Sequence, residues 1–203
     1  MSARFEMEDR QPRRKKFILR SLIWIAEIAG VIALSYFICA YCIEKTTVQG
    51  SSMDYILRDG TKIVINKMSY RIGDPERFDV IVFKQSGREH SYYNVKRVIG
   101  LPGETIQIKD GKVYVDGSEL EEKIKTDAIR NGGLAEDEIT LDEEEYFVLG
   151  DNRNNSEDSR FANIGNVLRG EIVGKAWLTL SPFNFVNELT ENKEPEKKQG
   201  EES

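Results

Sequence analysis

Histidine and cysteine are scarce in this chain of 203 residues. His90 is the only histidine, which excludes metal sites built from several histidines and leaves room for one Ser-His-Asp triad. Cys39 and Cys42 are the only cysteines, and both lie in one apolar run, so no disulfide framework is expected elsewhere. On a helix they would share one face, where packing is favoured over redox chemistry because water and thiolate are scarce there.

Long uncharged runs are also rare, and residues 22–43 form the one that stands out, interrupted only by Glu27. As a helix, this run would extend about 33 Å, which is enough to cross the core of a lipid bilayer. Basic residues from Arg13 to Arg20 precede it, so the positive-inside rule predicts a single-pass anchor in the plasma membrane, with residues 1–21 in the cytoplasm and the chain from residue 44 outside. A cleaved signal peptide is the competing interpretation, but the run is too long and no convincing cleavage site follows it.

Positive charge is in deficit beyond the anchor. The whole chain carries a net charge of −6, although its first 20 residues hold seven basic and three acidic groups, so the remainder is strongly acidic. Residues 116–145 hold twelve carboxylates against three basic side chains, which argues against a nucleic acid as partner and favours a solvated surface. Residues 188–203 are polar and charged, and we expect an acidic, disordered tail there.

The sequence after the anchor predicts a mainly β fold, because apolar residues alternate with period two between turn signals. Strands are predicted in TKIVINK, DVIVF, SYYNVKRVIG, IQI, VYV, EITL, EYFVLG and EIVGKAWLTL. Asp110-Gly111 is the expected centre of a hairpin. Residues 120–137 are charged and contain Gly132-Gly133, so we expect a loop or short helix inserted between strands.

Two neighbouring serines, Ser51 and Ser52, follow the anchor closely, and a serine becomes a good nucleophile only when a nearby base takes its proton. His90 is one candidate base, but it lies in the polar segment SGREHSYY, which is typical of a solvated loop. Lys96 is the other, and it can act only when neutral, which requires a strongly lowered pKa. Strand alternation places Lys96 on one face with Tyr92, Asn94 and Val98, and aliphatic residues nearby in the strand could bury it. A lysine on a half-exposed strand is nevertheless by default a surface residue.

A third polar feature is the segment GDNRNNSEDSR at residues 150–160, which directly follows the apolar strand YFVL. In such a turn, Asp, Asn and Ser side chains usually bind their own backbone. The functional interpretation is a scaffold whose hydrogen bonds position a catalytic group.

Taken together, GSSM (residues 50–53), VKRVIGLPGE (residues 95–104) and GDNRNNSEDSR resemble, in this order, the characteristic boxes of bacterial type I signal peptidases. RFDVIVF resembles the box between the first two. The resemblance covers most of residues 46–177, and the single anchor is similar to that of Gram-positive members. It implies an extracytoplasmic antiparallel β-sheet catalytic domain over residues 44–187, with a small inserted β cap at about residues 106–145.

The resemblance implies a Ser-Lys dyad, in which Ser52 is the nucleophile and Lys96 is the general base. The backbone N–H of Ser52 would also be the main donor to the oxyanion. Gram-negative members have a second serine two residues before the nucleophile. Gly50 stands there in this chain, as in Gram-positive members, so that side-chain donor is missing or is supplied by another residue.

The same resemblance implies supporting roles for residues beside the base and in the polar turn. Ser156 would hydrogen-bond the catalytic lysine. Asp158 would pair with Arg160. Asp151 would support Arg97, which lies next to the base.

Several positions depart from the family pattern. Tyr55 and Ile56 replace the usual Pro-Thr after Ser-Met-x, and Phe78 stands where glycine is common. After Arg160, the usual aromatic-Gly-x-Val is stretched into FANIGNV. These changes bear on pocket shape and turn geometry more than on the chemistry of the dyad.

The function implied by the resemblance is that of a membrane-bound serine endopeptidase that removes signal peptides from exported preproteins, as a monomer without metal or cofactor. Its substrates would carry small residues one and three positions before the cut. Self-cleaving repressors share a related β fold and Ser-Lys pair, but they carry a DNA-binding module where this chain has an anchor. Two rival functions stay open, a serine hydrolase that depends on His90 and a paralogue that binds exported chains without cutting them.

Overall fold

The computed structural model of the chain describes residues 3–85, 92–122, 124 and 126–188, without the side chains of residues 3–14 and of Cys39. His90 and residues 189–203 of the predicted tail lie outside the described residues. The chain divides into two units, Met1–Cys42 and Ile43–Ser203.

The first unit is one long helix, α1, from Ala3 to Tyr41. Its stretch Lys15–Ile38 is long and apolar enough to cross a membrane. The helix begins well before the predicted start at residue 22, because the preceding segment is rich in good helix formers such as Arg, Lys and Glu. It also ends earlier than predicted, since Ile43 already pairs with Asn66 in a strand.

The second unit is built from β-strands, with one single-turn helix and three short 3-10 helices among the described residues. The strands are β1 Ile43–Thr47, β2 Lys62–Asn66, β3 Val80–Phe83, β4 Asn94–Gly100, β5 Thr105–Lys109, β6 Lys112–Val115, β7 Ser118–Glu119, β8 Ile139–Thr140, β9 Glu145–Leu149, β10 Val167–Leu168, β11 Ile172–Leu180 and β12 Phe183–Phe185. The helix α2 is Ser69–Ile72, and the 3-10 helices are Gly133–Glu136, Arg169–Glu171 and Val186–Glu188.

Two antiparallel sheets organise these strands. The larger has the order β1-β2-β11-β3-β4-β9-β10, with β12 added to β11, and the smaller has the order β7-β6-β5-β8. The smaller sheet is formed by residues 105–140, and the hairpin between β5 and β6 turns at Asp110 and Gly111, both of which have positive φ. This arrangement confirms the mainly β, antiparallel fold that the sequence predicts.

The strands that the sequence predicts are present, whereas the pattern does not predict β1, β7, β10 and β12. Three of these have only two or three residues, too few for a period of two to be recognised. The 3-10 helix Gly133–Glu136 lies in the segment 120–137, as expected for a loop or short helix.

The turn that carries Ser52 is anchored in the core by two apolar side chains. Met53 and Leu57 are fully buried in a cluster that also contains Val80 from β3 and Val95 from β4. The N–H of Leu57 donates to the carbonyl of Met53 at 2.7 Å, which tightens the turn. Ser52 is therefore held against the strand that carries Lys96 by packing on its C-terminal side.

Candidate active site

Ser52 lies in the irregular turn that follows β1, and the residue is half-buried. Gly50 has φ +84°, a conformation that side-chain-bearing residues rarely adopt. Its N–H donates to Asp59 Oδ1 at 2.8 Å, which fixes the start of the turn. The glycine at this position thus has a conformational reason, because it adopts this positive φ without strain.

Lys96 lies in the middle of β4, paired with Ile81 of β3, and only 5% of the residue is exposed. Its Nζ lies 2.6 Å from Ser52 Oγ. The charged ammonium donates a proton to the hydroxyl in this contact, and the neutral amine can accept the hydroxyl proton instead. A neutral Lys96 therefore has the geometry of a general base for Ser52.

Burial lowers the pKa of Lys96 from 10.5 to about 8. The carboxylates of Asp158, Glu157 and Asp151 act in the opposite direction, whereas the positive charge of Arg160 lowers the pKa further. With a pKa of about 8, roughly a tenth of the molecules hold a neutral lysine at pH 7, against about one in 2,500 for an ordinary lysine.

Arg97, the neighbour of Lys96, forms a buried bidentate ion pair with Asp151. The distances are 2.8 Å from Nε to Oδ1 and 2.8 Å from Nη2 to Oδ2. Nη1 of Arg97 donates to the carbonyl of Phe78 at 2.8 Å. These bonds join β4 to the polar turn and to the segment before β3, so the backbone beside Lys96 is held from two sides.

Asp158 and Arg160 form a second buried ion pair, with 2.7 Å between Nε and Oδ1 and 2.9 Å between Nη2 and Oδ2. Asp158 Oδ2 also accepts the N–H of Gly150 at 3.0 Å. Arg160 donates to the carbonyls of Asn131 and Arg153. The pair therefore holds the two ends of the turn 150–160 together. Through Asn131, Arg160 also connects the turn to the segment before the 3-10 helix Gly133–Glu136.

The polar turn also binds the serine pair directly. The N–H of Asn152 donates to the carbonyl of Ser52 at 3.0 Å, and its side-chain Nδ2 donates to the carbonyl of Ser51 at 3.0 Å. Asn155 Nδ2 donates to Ser51 Oγ at 2.7 Å, so the two hydroxyls have different partners. The sequence predicts no role for these asparagines, and their place in GDNRNNSEDSR is the only signal that it offers.

Gly150 has little room for a side chain. A Cβ at this position would overlap Ser156 Oγ and would lie 2.6 Å from the carbonyl oxygen of Ser52. Glycine therefore permits the close approach of the polar turn to the backbone of the serine turn.

Ser156 differs from the expectation drawn from the resemblance. Its Oγ is buried and has no hydrogen-bond partner among the described residues, so it does not bond Lys96 in this structure. Lys96 Nζ instead contacts Ser52 Oγ. The hydroxyl of Ser156 is thus a free acceptor and donor beside Gly150.

Three of the residues that depart from the family pattern, Tyr55, Ile56 and Phe78, are accommodated in different ways. Tyr55 reaches across the surface and donates its hydroxyl proton to Asp127 Oδ2 at 2.6 Å. Ile56 packs against the core cluster that holds Met53. Phe78 adopts φ 73°, which explains why glycine is common there, and its ring packs against the core next to the smaller sheet.

Arg153 and Glu122 form a buried ion pair that the sequence does not predict. The guanidinium of Arg153 is 1% exposed and binds the Glu122 carboxylate in bidentate fashion. Glu122 lies outside the family boxes, within an acidic segment whose composition favours a solvated surface. No signal in the sequence distinguishes it from its exposed neighbour Glu121.

The fold and the site together define a class: a mainly β protein with one apolar helix, in which a half-buried serine contacts a buried lysine whose pKa is lowered. This is the arrangement that a serine hydrolase with a lysine base requires. Sequence comparisons agree with this class. A family model described as "Signal peptidase, peptidase S26" matches residues 21–181, and the chain belongs to that family.

Two relatives found by sequence point the same way. The chain is 36% identical over 170 residues to signal peptidase I T of Bacillus subtilis (strain 168), covering 80% of this chain and 86% of the relative. It is 32% identical over 170 residues to signal peptidase I of Bacillus licheniformis, covering 80% and 90% of the two chains. A crystal structure of a signal peptidase I from Enterococcus faecalis V583 is 31% identical, with a TM-score of 0.40, and covers 51% of this chain and 97% of that chain.

Proposed function

We propose that this protein is a membrane-bound serine endopeptidase that removes signal peptides from exported preproteins. The single observation that carries the proposal is the 2.6 Å contact between Lys96 Nζ and Ser52 Oγ, made by a lysine whose pKa burial lowers to about 8. Membership of the signal peptidase family supplies the substrate class.

In the proposed reaction, neutral Lys96 takes the proton of Ser52 as Oγ attacks the scissile carbonyl carbon. The negative charge that develops on the carbonyl oxygen is stabilised by the backbone N–H of Ser52. When this intermediate collapses, the lysine ammonium donates its proton to the departing amine. The signal peptide is then held as an ester on Ser52 and the mature chain is released.

Deacylation repeats these steps with water as the nucleophile. Lys96, neutral again after protonating the amine, takes a proton from water, and the hydroxide adds to the ester carbonyl. Collapse of the second intermediate returns the proton to Ser52 and releases the signal peptide. Arg97, Asp151, Asp158 and Arg160 would act by holding the strand and the turn that position the dyad.

The location of the site is also part of the proposal. The basic residues before the apolar helix favour an N-terminus in the cytoplasm and a catalytic domain on the outer side of the plasma membrane. The domain boundaries at residues 21, 43 and 187, with a cap at about residues 106–145, belong to the same proposal. We further propose that the protein acts as a monomer and binds no nucleic acid, since its outer part is acidic.

The experiment that tests the proposal is cleavage of a precursor with alanines one and three residues before the cut. Membranes carrying wild type, Ser52→Ala, Lys96→Ala or His90→Ala are compared. We expect wild type and His90→Ala to cut at the intended bond and the other two to be inactive. Loss of activity in His90→Ala would favour the histidine-dependent hydrolase, and precursor binding without cleavage by folded wild type would favour the non-cutting paralogue.

A further inference from the structure

The segment between β7 and the 3-10 helix Gly133–Glu136, described at residues 120–122, 124 and 126–132, contacts the polar turn that binds Ser52. Glu122 binds Arg153 at one end of this segment. Further along, the N–H of Arg130 donates to Asn154 Oδ1 at 3.0 Å, and Asn154 Nδ2 donates to the carbonyl of Ala128 at 3.0 Å. The segment thus contacts the polar turn at Glu122, Ala128 and Arg130, all outside the boxes of the family resemblance.

Arg153 is the charged residue of the polar turn that this segment contacts. Its side chain is 1% exposed, and Glu122, 13% exposed, is the carboxylate that pairs with it. Nη1 lies 2.8 Å from Glu122 Oε1, and Nη2 binds Oε2. The third guanidinium nitrogen, Nε, donates to the carbonyl of Gly150 at 3.1 Å.

Gly150 lies between Arg153 and the backbone of Ser52 and contacts both. Its N–H is held by Asp158 and its carbonyl by Arg153, so the peptide is fixed on both sides. Gly150 is also packed so closely on the carbonyl of Ser52 that no Cβ would fit. Two residues later, the N–H of Asn152 donates to that same carbonyl.

We propose that Glu122 is a positioning residue for the dyad. By neutralising Arg153 and orienting its guanidinium, Glu122 keeps Nε on the carbonyl of Gly150, and Gly150 keeps the backbone of Ser52 at the correct distance from Lys96. Without the carboxylate, a buried guanidinium loses its counter-charge and turns toward solvent or another acceptor. This inference rests on the proposed cleavage of precursors by Ser52.

The competing interpretation is that the ion pair only stabilises the fold. The test compares full-length wild type, Glu122→Ala and Glu121→Ala in detergent. kcat and KM are measured on the precursor with alanines one and three residues before the cut, and Tm is measured on the same samples. Glu121 is exposed and belongs to the same segment, so its variant is the matched control. We expect Glu122→Ala to lose about 10²-fold in kcat, at a temperature where it is folded, with a smaller change in KM.

A double variant separates positioning from stability. Replacing a buried ion pair by apolar side chains of similar volume commonly restores stability. We therefore expect Glu122→Leu with Arg153→Met to regain most of the Tm lost in Glu122→Ala while kcat stays low, because the Nε donor to the carbonyl of Gly150 is absent. If kcat recovers together with Tm, the pair is only structural and the inference is wrong.

The remaining outcomes are also decisive. If Glu122→Ala does not fold, Glu122→Gln, which keeps the volume and one acceptor oxygen, takes its place and is expected to lose about tenfold in kcat. Wild-type kcat in every folded Glu122 variant overturns the inference and leaves the proposed function intact. If wild type and Glu121→Ala also fail to cut, the proposed function itself fails.

Discussion

Lys96 Nζ lies 2.6 Å from Ser52 Oγ, although 44 residues separate them in the chain. The contact depends on two different elements, the centre of β4 and a turn anchored by Met53 and Leu57. The two side chains also differ in exposure, since the lysine is buried and the serine is half-buried. Burial lowers the pKa of the base, while the nucleophile keeps part of its surface open to an incoming chain.

The lowered pKa of Lys96 predicts how cleavage depends on pH. Only the neutral amine can take the proton of Ser52, so kcat/KM should rise about tenfold per pH unit below pH 8 and level off above it. The measurement is precursor cleavage between about pH 6 and pH 10 at constant ionic strength.

Ser52→Ala provides the background rate at each pH in that series. A kcat/KM profile that levels off at about pH 6.5 would contradict Lys96 as the general base, because an ordinary histidine titrates there. Such a result would direct attention to His90.

Replacing Lys96 by methionine should abolish cleavage and stabilise the fold at neutral pH. The folded pKa of Lys96, about 8, lies below the value of 10.5 for an unperturbed lysine, so the unfolded chain binds the proton more tightly. The lysine therefore lowers stability below pH 8, and this cost disappears as the pH rises from 8 to 10.5. At pH 7 we expect Lys96→Met to raise the free energy of unfolding by about 3 kcal/mol, since each pKa unit corresponds to about 1.4 kcal/mol.

Thermal denaturation of wild type and Lys96→Met at about pH 7 and pH 10 checks this prediction. The difference in Tm between the two proteins should shrink at the higher pH. A difference that is the same at both pH values would show that packing, rather than the buried charge, is responsible.

Substitution of Gly150 by alanine should disrupt the site from the backbone of the polar turn. The added Cβ would lie 2.6 Å from the carbonyl oxygen of Ser52, where only a shift of backbone can relieve the overlap. We expect a loss of about 10²-fold in kcat and a destabilisation of about 1–3 kcal/mol. The measurements are precursor cleavage and urea denaturation.

Gly170 offers the matched control for that substitution. It is exposed, and a Cβ there would meet no atom within 4 Å. Gly170→Ala should therefore keep wild-type activity and stability. Equal effects of the two substitutions would mean that the close approach of Gly150 to Ser52 is not what matters.

Much of the fold could be predicted from the sequence, because most strands carry a clear period of two and end at Gly-containing turns. The hairpin at Asp110 and Gly111 is an example, since both residues take the positive φ that such a turn requires. The short strands β7, β10 and β12 could not be predicted, because they exist only through pairing with neighbouring strands and are too short to show a pattern of their own.

The candidate site could be predicted only in part. The pattern of β4 predicts a strand in which aliphatic residues near Lys96 could bury it, but the approach of the turn at Ser52 is revealed by no local pattern. The Glu122–Arg153 pair was not predictable either, because the acidic composition around Glu122 is that of a solvated surface. Only tertiary packing distinguishes this carboxylate from its neighbours.

Ser156 and Ser159 provide the last prediction, because one hydroxyl lacks a partner and the other has one. Ser159 Oγ accepts the N–H of Val148 at 2.9 Å, whereas Ser156 Oγ has no partner among the described residues. We therefore expect Ser159→Ala to cost about 1–3 kcal/mol of stability and Ser156→Ala to cost none or to add about 1 kcal/mol.

The effects on activity should have the opposite order, with Ser156→Ala losing more activity than Ser159→Ala. Once Lys96 has taken the proton of Ser52, its ammonium needs acceptors, and the hydroxyl of Ser156 is free to become one, as the family resemblance implies. Ser156→Ala should lower kcat about tenfold without lowering Tm, while Ser159→Ala should lower Tm with a smaller effect on kcat at temperatures where it is folded. If Ser156→Ala lowers Tm as much as Ser159→Ala does, Ser156 already has a hydrogen-bond partner in the resting protein. Its hydroxyl is then not free to accept a bond from the ammonium of Lys96, and the prediction is wrong.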